Sequence, residues 1–113
     1  MPSISLRINL DPEGRIGPGK IALLEHIAHH GSISAAGRAM NMSYRRAWNL
    51  VEEMNGMFAR PLVETRAGGA QGGGTRLTSF GKQVVARFRD IEQAASKAAA
   101  NDLAALQAAL DQS

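Results

Sequence analysis

A chain of 113 residues, 44% hydrophobic but only 4% aromatic, can close one modest core and carry at most an appended helix beside it. It has no cysteine, which excludes disulfides, zinc–cysteine sites and thiol catalysis. It also lacks a run of about 18 apolar residues for a membrane span and a basic-then-apolar leader, so a cytoplasmic protein with no membrane association is expected. The net charge of +3 is unevenly spread. Residues 1–31 sum to zero, residues 32–89 carry nine Lys/Arg against Glu52, Glu53 and Glu64, a net +6, and residues 90–113 sum to −3. A polyanion partner for the middle of the chain follows from that asymmetry.

Ser3 to Leu10 alternates, with Ile4, Leu6, Ile8 and Leu10 on one side and Ser3, Ser5, Arg7 and Asn9 on the other, the period of a half-buried strand. Asp11-Pro-Glu-Gly14 is a turn signal. A partner for this strand is expected only after residue 60. Gly17-Pro18 opens a helix, with the proline in the first turn where its missing donor does no harm. Ile21, Leu24, Ile27 and Ala28 give that helix its inward stripe, and Gly31 ends it. His26, His29 and His30 invite a metal reading. Without an acidic or cysteine ligand they are better placed as favourable partners of the helix dipole, and no metal is expected.

Residues 32–58 read as two short helices joined by a corner. Ser32 or Ser34 can cap the first through its hydroxyl. Ala35, Ala36, Ala39 and Met40 make a small apolar stripe that allows close approach. Asn41 tolerates the left-handed conformation past a helix end, Met42 can plug the gap, and Ser43 can cap the second helix. At about 100° per residue, Ala47, Leu50, Val51, Met54, Met57 and Phe58 share one broad face. Arg45, Asn49, Glu52 and Glu53 lie roughly opposite, with Tyr44, Arg46 and Trp48 on the flanks. The outward first turns therefore carry Tyr44, Arg45, Arg46, Trp48 and Asn49, side chains suited to phosphates, base edges and sugar faces. This is a helix-turn-helix pattern. Trp48 could equally wedge against the preceding helix.

Gly56 and Arg60-Pro61 mark the end of the second helix. Leu62 to Arg66 and Thr75 to Thr78 read as strands around a glycine-rich tip that includes Gly68, Gly69, Gly72, Gly73 and Gly74, with Arg66 and Arg76 at its flanks. A hairpin in that place is the wing of a winged helix, and the Ser3–Leu10 strand could extend its sheet. The glycines do not make a nucleotide site: Thr75-Arg76 stands where a Walker loop needs lysine, and the dinucleotide Gly pattern is missing. Thr78 caps a last helix, in whose first turn Gly81 allows close packing near the wing. Val84, Phe88, Ile91, Ala95, Ala98 or Ala99, Leu103, Leu106 and Leu110 recur along it at spacings of three and four, a seam for another helix. Unbroken, it would be about 48 Å long, more than this domain can cover; Asn101-Asp102 could also start a second helix. A second copy of the chain is the simplest partner. No nucleophile–histidine–carboxylate arrangement is visible, so no enzyme and no cofactor are expected.

The stretch Gly31-Ser-Ile-Ser-Ala-Ala-Gly-Arg-Ala-Met-Asn-Met-Ser-Tyr-Arg-Arg-Ala-Trp48 resembles the DNA-binding domain of the molybdate-responsive ModE regulators, as do Glu53-Met-Asn, Leu62-Val-Glu-Thr-Arg, Gly69-Ala-Gln-Gly-Gly-Gly and Leu77-Thr-Ser-Phe-Gly. That domain is similar in turn to the winged helix of LysR-type regulators, whose Leu-Thr-x-x-Gly pattern stands at Leu77 to Gly81. The resemblance implies a mainly α fold with a small β-sheet, a winged helix-turn-helix over residues 1–80, and a long helical dimerisation segment over 81–113. It implies double-stranded DNA as partner, bound by a homodimer at a palindromic operator. The expected DNA contacts are Ser32, Ser34, Ser43, Tyr44, Arg45, Arg46, Trp48, Asn49, Arg66, Gly72, Gly73 and Arg76; the expected dimer contacts are Val84, Phe88, Ile91, Ala95, Leu103 and Leu106. Full-length ModE proteins carry a molybdate-binding region further on, so molybdate is not expected to bind this chain alone. The rival expectation is an interaction module that pairs with another regulator through the seam and no longer binds DNA.

Overall fold

A computed structural model of the chain describes residues 1–66 and 74–111. It opens with a hairpin: β1 (Ile8–Leu10) runs antiparallel to β2 (Gly14–Ile16), Ile8 facing Ile16 and Leu10 facing Gly14. The alternation read from the sequence holds as far as Asn9, since Ile4, Leu6 and Ile8 are half-buried while Ser3, Ser5, Arg7 and Asn9 are exposed; Leu10, expected on the inward side, is 39% exposed at the turn. The pairing does not. The strand is shorter than Ser3–Leu10, and its partner lies just past the turn instead of in the wing, so there are two separate two-stranded sheets. Closing a three-residue turn costs far less chain entropy than bringing strands together across three helices. Gly14 completes the fit, because a Cβ there would come within 3.0 Å of the Leu10 Cβ.

Three helices follow. α1 (Pro18–His30) starts with Pro18 in its first turn and ends at Gly31, whose φ of 74° is the left-handed conformation that favours glycine. Ile21, Leu24 and Ile27 are fully buried as expected; Leu23 joins them, because α2 packs on one side of α1 while β4 and α4 pack on the other. Ala28, expected inward, is exposed near the helix end. α2 (Ile33–Ala39) is capped by Ser32, whose hydroxyl accepts from the Ala35 amide at 2.9 Å. Asn41 makes the corner with φ 57°, and α3 (Tyr44–Met57) follows, capped by Ser43. Its inward residues Ala47, Val51 and Met54 close the core against α1 and α2.

The wing is β3 (Val63–Arg66) paired antiparallel with β4 (Gly74–Leu77), Glu64 facing Arg76 and Thr65 facing Thr75. Its root is tied down by Asn55, in the last turn of α3. The Asn55 Oδ1 accepts from the amides of Leu62 and Val63 at 2.9 and 3.0 Å, and its Nδ2 donates to the Val63 carbonyl at 3.0 Å. The other strand is held from beneath, where the Thr75 amide donates to the Gly31 carbonyl at 2.9 Å.

α4 (Ser79–Ala98) starts at Thr78, whose hydroxyl accepts from the Gly81 amide and whose amide donates to the Leu62 carbonyl, both at 2.9 Å. Gly81 lies directly on that carbonyl, and a Cβ there would run into the Leu62 oxygen. Halfway along α4, Phe88 is 2% exposed in the core. Beside it Arg89 forks onto Glu25 of α1, Nε to Oε2 at 3.1 Å and Nη2 to Oε1 at 2.5 Å, while its Nη1 reaches Glu92 at 2.6 Å. α5 (Ala100–Asp111) follows after the single residue Ala99. The helical hydrogen bonds run across that interruption, from the Ala99 amide to Ala95 and from the Leu103 amide to Ala99, so Asn101 and Asp102 lie inside the first turn instead of capping a fresh start. The molecule measures 61 × 30 × 21 Å. Among the described residues no helix is long and apolar enough to cross a membrane.

Asn55→Ala leaves two buried amides and a carbonyl without partners, so it should lower the unfolding free energy by roughly 2–3 kcal/mol in a denaturant titration. The Arg89 guanidinium holds the Glu25 carboxyl below its ordinary value of 4.5. The ion pair therefore stabilises the fold above that pH, and its contribution is lost as pH falls through the lowered value. Glu25→Gln should cost about 0.5–1 kcal/mol at neutral pH, kept small by solvent around both side chains. The deficit should vanish in acid, as thermal melts at pH 7 and pH 3 will show.

Candidate nucleic-acid interface

The exposed surface of α3 is set by how tightly its other side is held. A Cβ on Gly37 would lie 3.1 Å from the Ala47 Cβ and 3.4 Å from the Met42 carbonyl, so α2 and α3 meet almost backbone to backbone. That contact leaves α3 no freedom to roll. Its first turn is ordered by Ser43, whose hydroxyl accepts from the Arg46 amide at 3.1 Å.

Tyr44, Arg45, Arg46, Trp48 and Asn49 are all exposed, in one cluster on the first half of α3. Ser43, Arg45, Arg46, Asn49, Leu50 and Glu53 bound a shallow hollow there. Among the described residues, the guanidiniums of Arg45 and Arg46 enter no ion pair. The acidic residues are set back by two turns, and Glu53 is neutralised by Lys20 of α1 at 3.0 Å. The result is a positive, donor-rich helix start whose bordering carboxylate, Glu53, is already paired with Lys20.

The remaining expected contacts divide. Ser32 is engaged as the α2 cap, and the Ser34 hydroxyl accepts from Arg38 Nη1 at 2.9 Å. Arg38, which sequence reading passed over, is exposed on α2; its place four residues after Ser34 on a short helix was the available signal. Arg66 ends β3 as an exposed cation. Arg76, directly across the wing from Glu64, donates to that carboxylate at 2.6 Å. Gly72 and Gly73 fall outside the described residues. Asn55 was also missed as a positioning residue; its sequence signal was an amide in a last helical turn, shortly before a strand start that needs both a donor and an acceptor.

The seam along the last helices is corrected at one point. Phe88 was expected to face a partner, but it fills this chain's own core, and Val84 packs partly against the same core. Ala95 and Leu103 are half-buried, whereas Ile91 and Leu106 are 45% and 70% exposed and Leu110 is 78% exposed. At the end of α1, His26 stacks on His30 at 5.6 Å and His29 meets His30 edge-on at 4.7 Å. Among the described residues no group of three or more potential ligands is arranged to hold a metal ion.

Comparison with known proteins gives the same picture. The model of a family described as bacterial regulatory helix-turn-helix protein, lysR family, matches residues 19–82. The molybdenum-pterin-binding protein MopA of Rhodobacter capsulatus is 44% identical over 84 residues, 74% of this chain and 32% of that protein. The molybdenum transport protein ModE of Azotobacter vinelandii is 41% identical over 88 residues, 76% of this chain and 33% of that one. The DNA-binding transcriptional dual regulator ModE of Escherichia coli (strain K12) is 37% identical over 95 residues, 84% and 36% of the two chains. The chain thus spans about a third of the length of these curated relatives. In fold it is similar to the CbnR DNA-binding domain, solved in a complex with DNA, with a TM-score of 0.61 at 18% identity over 78% of this chain and 95% of that one.

Ser43→Ala removes the acceptor at the start of α3 and should cost about 1 kcal/mol. Amide hydrogen exchange should accelerate most in the first turn of α3, and in buried α1 by no more than the loss of global stability allows.

Proposed function

The chain belongs to the lysR family of bacterial regulatory helix-turn-helix proteins, and from that premise we propose that it binds duplex DNA sequence-specifically, as a homodimer, and regulates transcription. One observation carries the reading. Arg45 and Asn49 stand exposed on the outward side of a closely packed helix, with no competing partner among the described residues. An arginine can pair bidentately with guanine and an asparagine with adenine in the major groove. Arg46 and the capped start of α3 meet phosphate. Arg66 and Arg76 grip the backbone beside the wing. Arg76 exchanges Glu64 for phosphate at small cost, since an exposed ion pair is worth only about 0–1 kcal/mol. The name of the Escherichia coli relative supports the DNA-binding part of this reading.

Residues 1–80 form the DNA-binding unit on this proposal, and 81–113 pair with a second copy. Ile91, Leu106 and Leu110 support the pairing, as large aliphatic side chains left in water along a helix far longer than the core it touches. The pairing presents two α3 helices to a palindromic operator whose half-site spacing it sets. Oxyanion sensing is not assigned to these residues, and no enzymatic activity is proposed.

Selection of bound sites from a random duplex library, followed by gel shift with a salt titration, tests the proposal. The selected sites should be inverted repeats, and affinity should fall steeply with salt. Arg45→Ala should lose roughly 1–3 kcal/mol at one base position of each half-site; an equal loss on every sequence would make Arg45 a phosphate contact. No binding of any duplex at low salt would overturn DNA recognition and favour an interaction module. A chain that sediments as a monomer at all concentrations would overturn the homodimer.

A further inference from the structure

The chain has five aromatic residues besides its histidines, three phenylalanines, one tyrosine and one tryptophan, and the fold sorts them sharply. The three phenylalanines are packed: Phe88 is in the core, and Phe58 meets Phe80 edge-on at 5.4 Å against its margin, with Arg60 lying 4.2 Å over the Phe80 ring. The tyrosine and the tryptophan lie at the surface. Tyr44 is 58% exposed, and Trp48, more than half covered by the protein, 38%. They are four residues apart on α3, so their side chains emerge on one flank of the helix, about 40° apart around its axis. Among the described residues neither ring stacks on another ring or under a cation, and neither the Tyr44 hydroxyl nor the Trp48 indole N–H has a hydrogen-bond partner. With so little aromatic area available for a core, placing two of five rings outside needs a use.

We propose that Tyr44 and Trp48 together form an apolar reader of thymine, seating the C5-methyl group of one or two thymines in each half-site against their ring faces. The proposal rests on the DNA-binding reading above and adds to it the base that this flank of α3 selects. The reasoning is a match of surfaces. Among the base edges of the major groove, the thymine C5-methyl is the most prominent apolar group. An aromatic flank beside Arg45 and Asn49, which reach for base edges, therefore matches that methyl best, and the two polar tips remain free for neighbouring phosphate or base acceptors. Arg45 and Arg46, exposed on the same first turns of α3 and in no ion pair among the described residues, favour a polyanion over an apolar protein surface as the occupant.

The test substitutes deoxyuridine for thymidine one position at a time in a duplex recovered by the library selection. The change removes one methyl group and keeps Watson–Crick pairing intact. With the native chain, at least one position in each half-site should bind about 4-fold more weakly as deoxyuridine, the value of one buried methyl. Tyr44→Ser and Trp48→Gln are examined separately, each first shown to melt like the native chain. Each should bind the thymidine duplex more weakly, and at least one should no longer distinguish it from the deoxyuridine duplex. Equal affinity of the native chain for all the substituted duplexes would overturn the proposal while leaving DNA binding intact. So would discrimination that persists undiminished in both variants. Failure to bind any duplex would instead remove the DNA-binding reading itself, and this inference with it.

Discussion

The backbone of Leu62 is where the three functional parts of the molecule are fastened together. Its amide is held by Asn55 from α3, its carbonyl accepts from the Thr78 amide that starts α4, and its side chain is fully buried. Gly81 makes the junction possible, because any side chain there would occupy the space of the Leu62 oxygen. A buried peptide group must find its hydrogen bonds within the protein, so the helix carrying Arg45 and Asn49, the wing carrying Arg66 and Arg76, and the long C-terminal helices share one rigid point. Their relative orientation does not depend on long flexible side chains.

A second constraint acts at the other side of the domain. Arg89 reaches from α4 to Glu25 on α1 and also to Glu92 one turn along its own helix. Phe88 next to it is sealed in the core. The first half of α4 is thus part of the folded domain, and Ile4 still borders a hollow with Gln93 and Ser96 further along. Beyond that point the helices display Leu106 and Leu110.

Charge placement follows the same economy. One acidic residue in each of α1, α3 and the wing enters an internal ion pair, Glu25 with Arg89, Glu53 with Lys20, and Glu64 with Arg76, while Glu52 of α3 stays exposed. Among the described residues the two arginines that begin α3 are left without such partners, and two aromatic rings and an amide side chain stand on the same first turns of the helix.

What could be read from the residues alone was local in origin. Caps at Ser32, Ser43 and Thr78, the left-handed corner at Asn41, the glycine stop at Gly31 and the outward side of α3 all depend on nearby backbone geometry or on helical period. Each residue carries that information by itself. The partner of β1, the role of Asn55, the burial of Phe88 and the capture of Arg76 by Glu64 could not be read in that way. Each depends on which distant segments come within a few ångströms of one another. A period of three and four shows that one side of a helix is apolar, but not whether the chain's own core or another molecule covers it; for α4 and α5 only the packed structure drew that line, at the point where the domain's core ends.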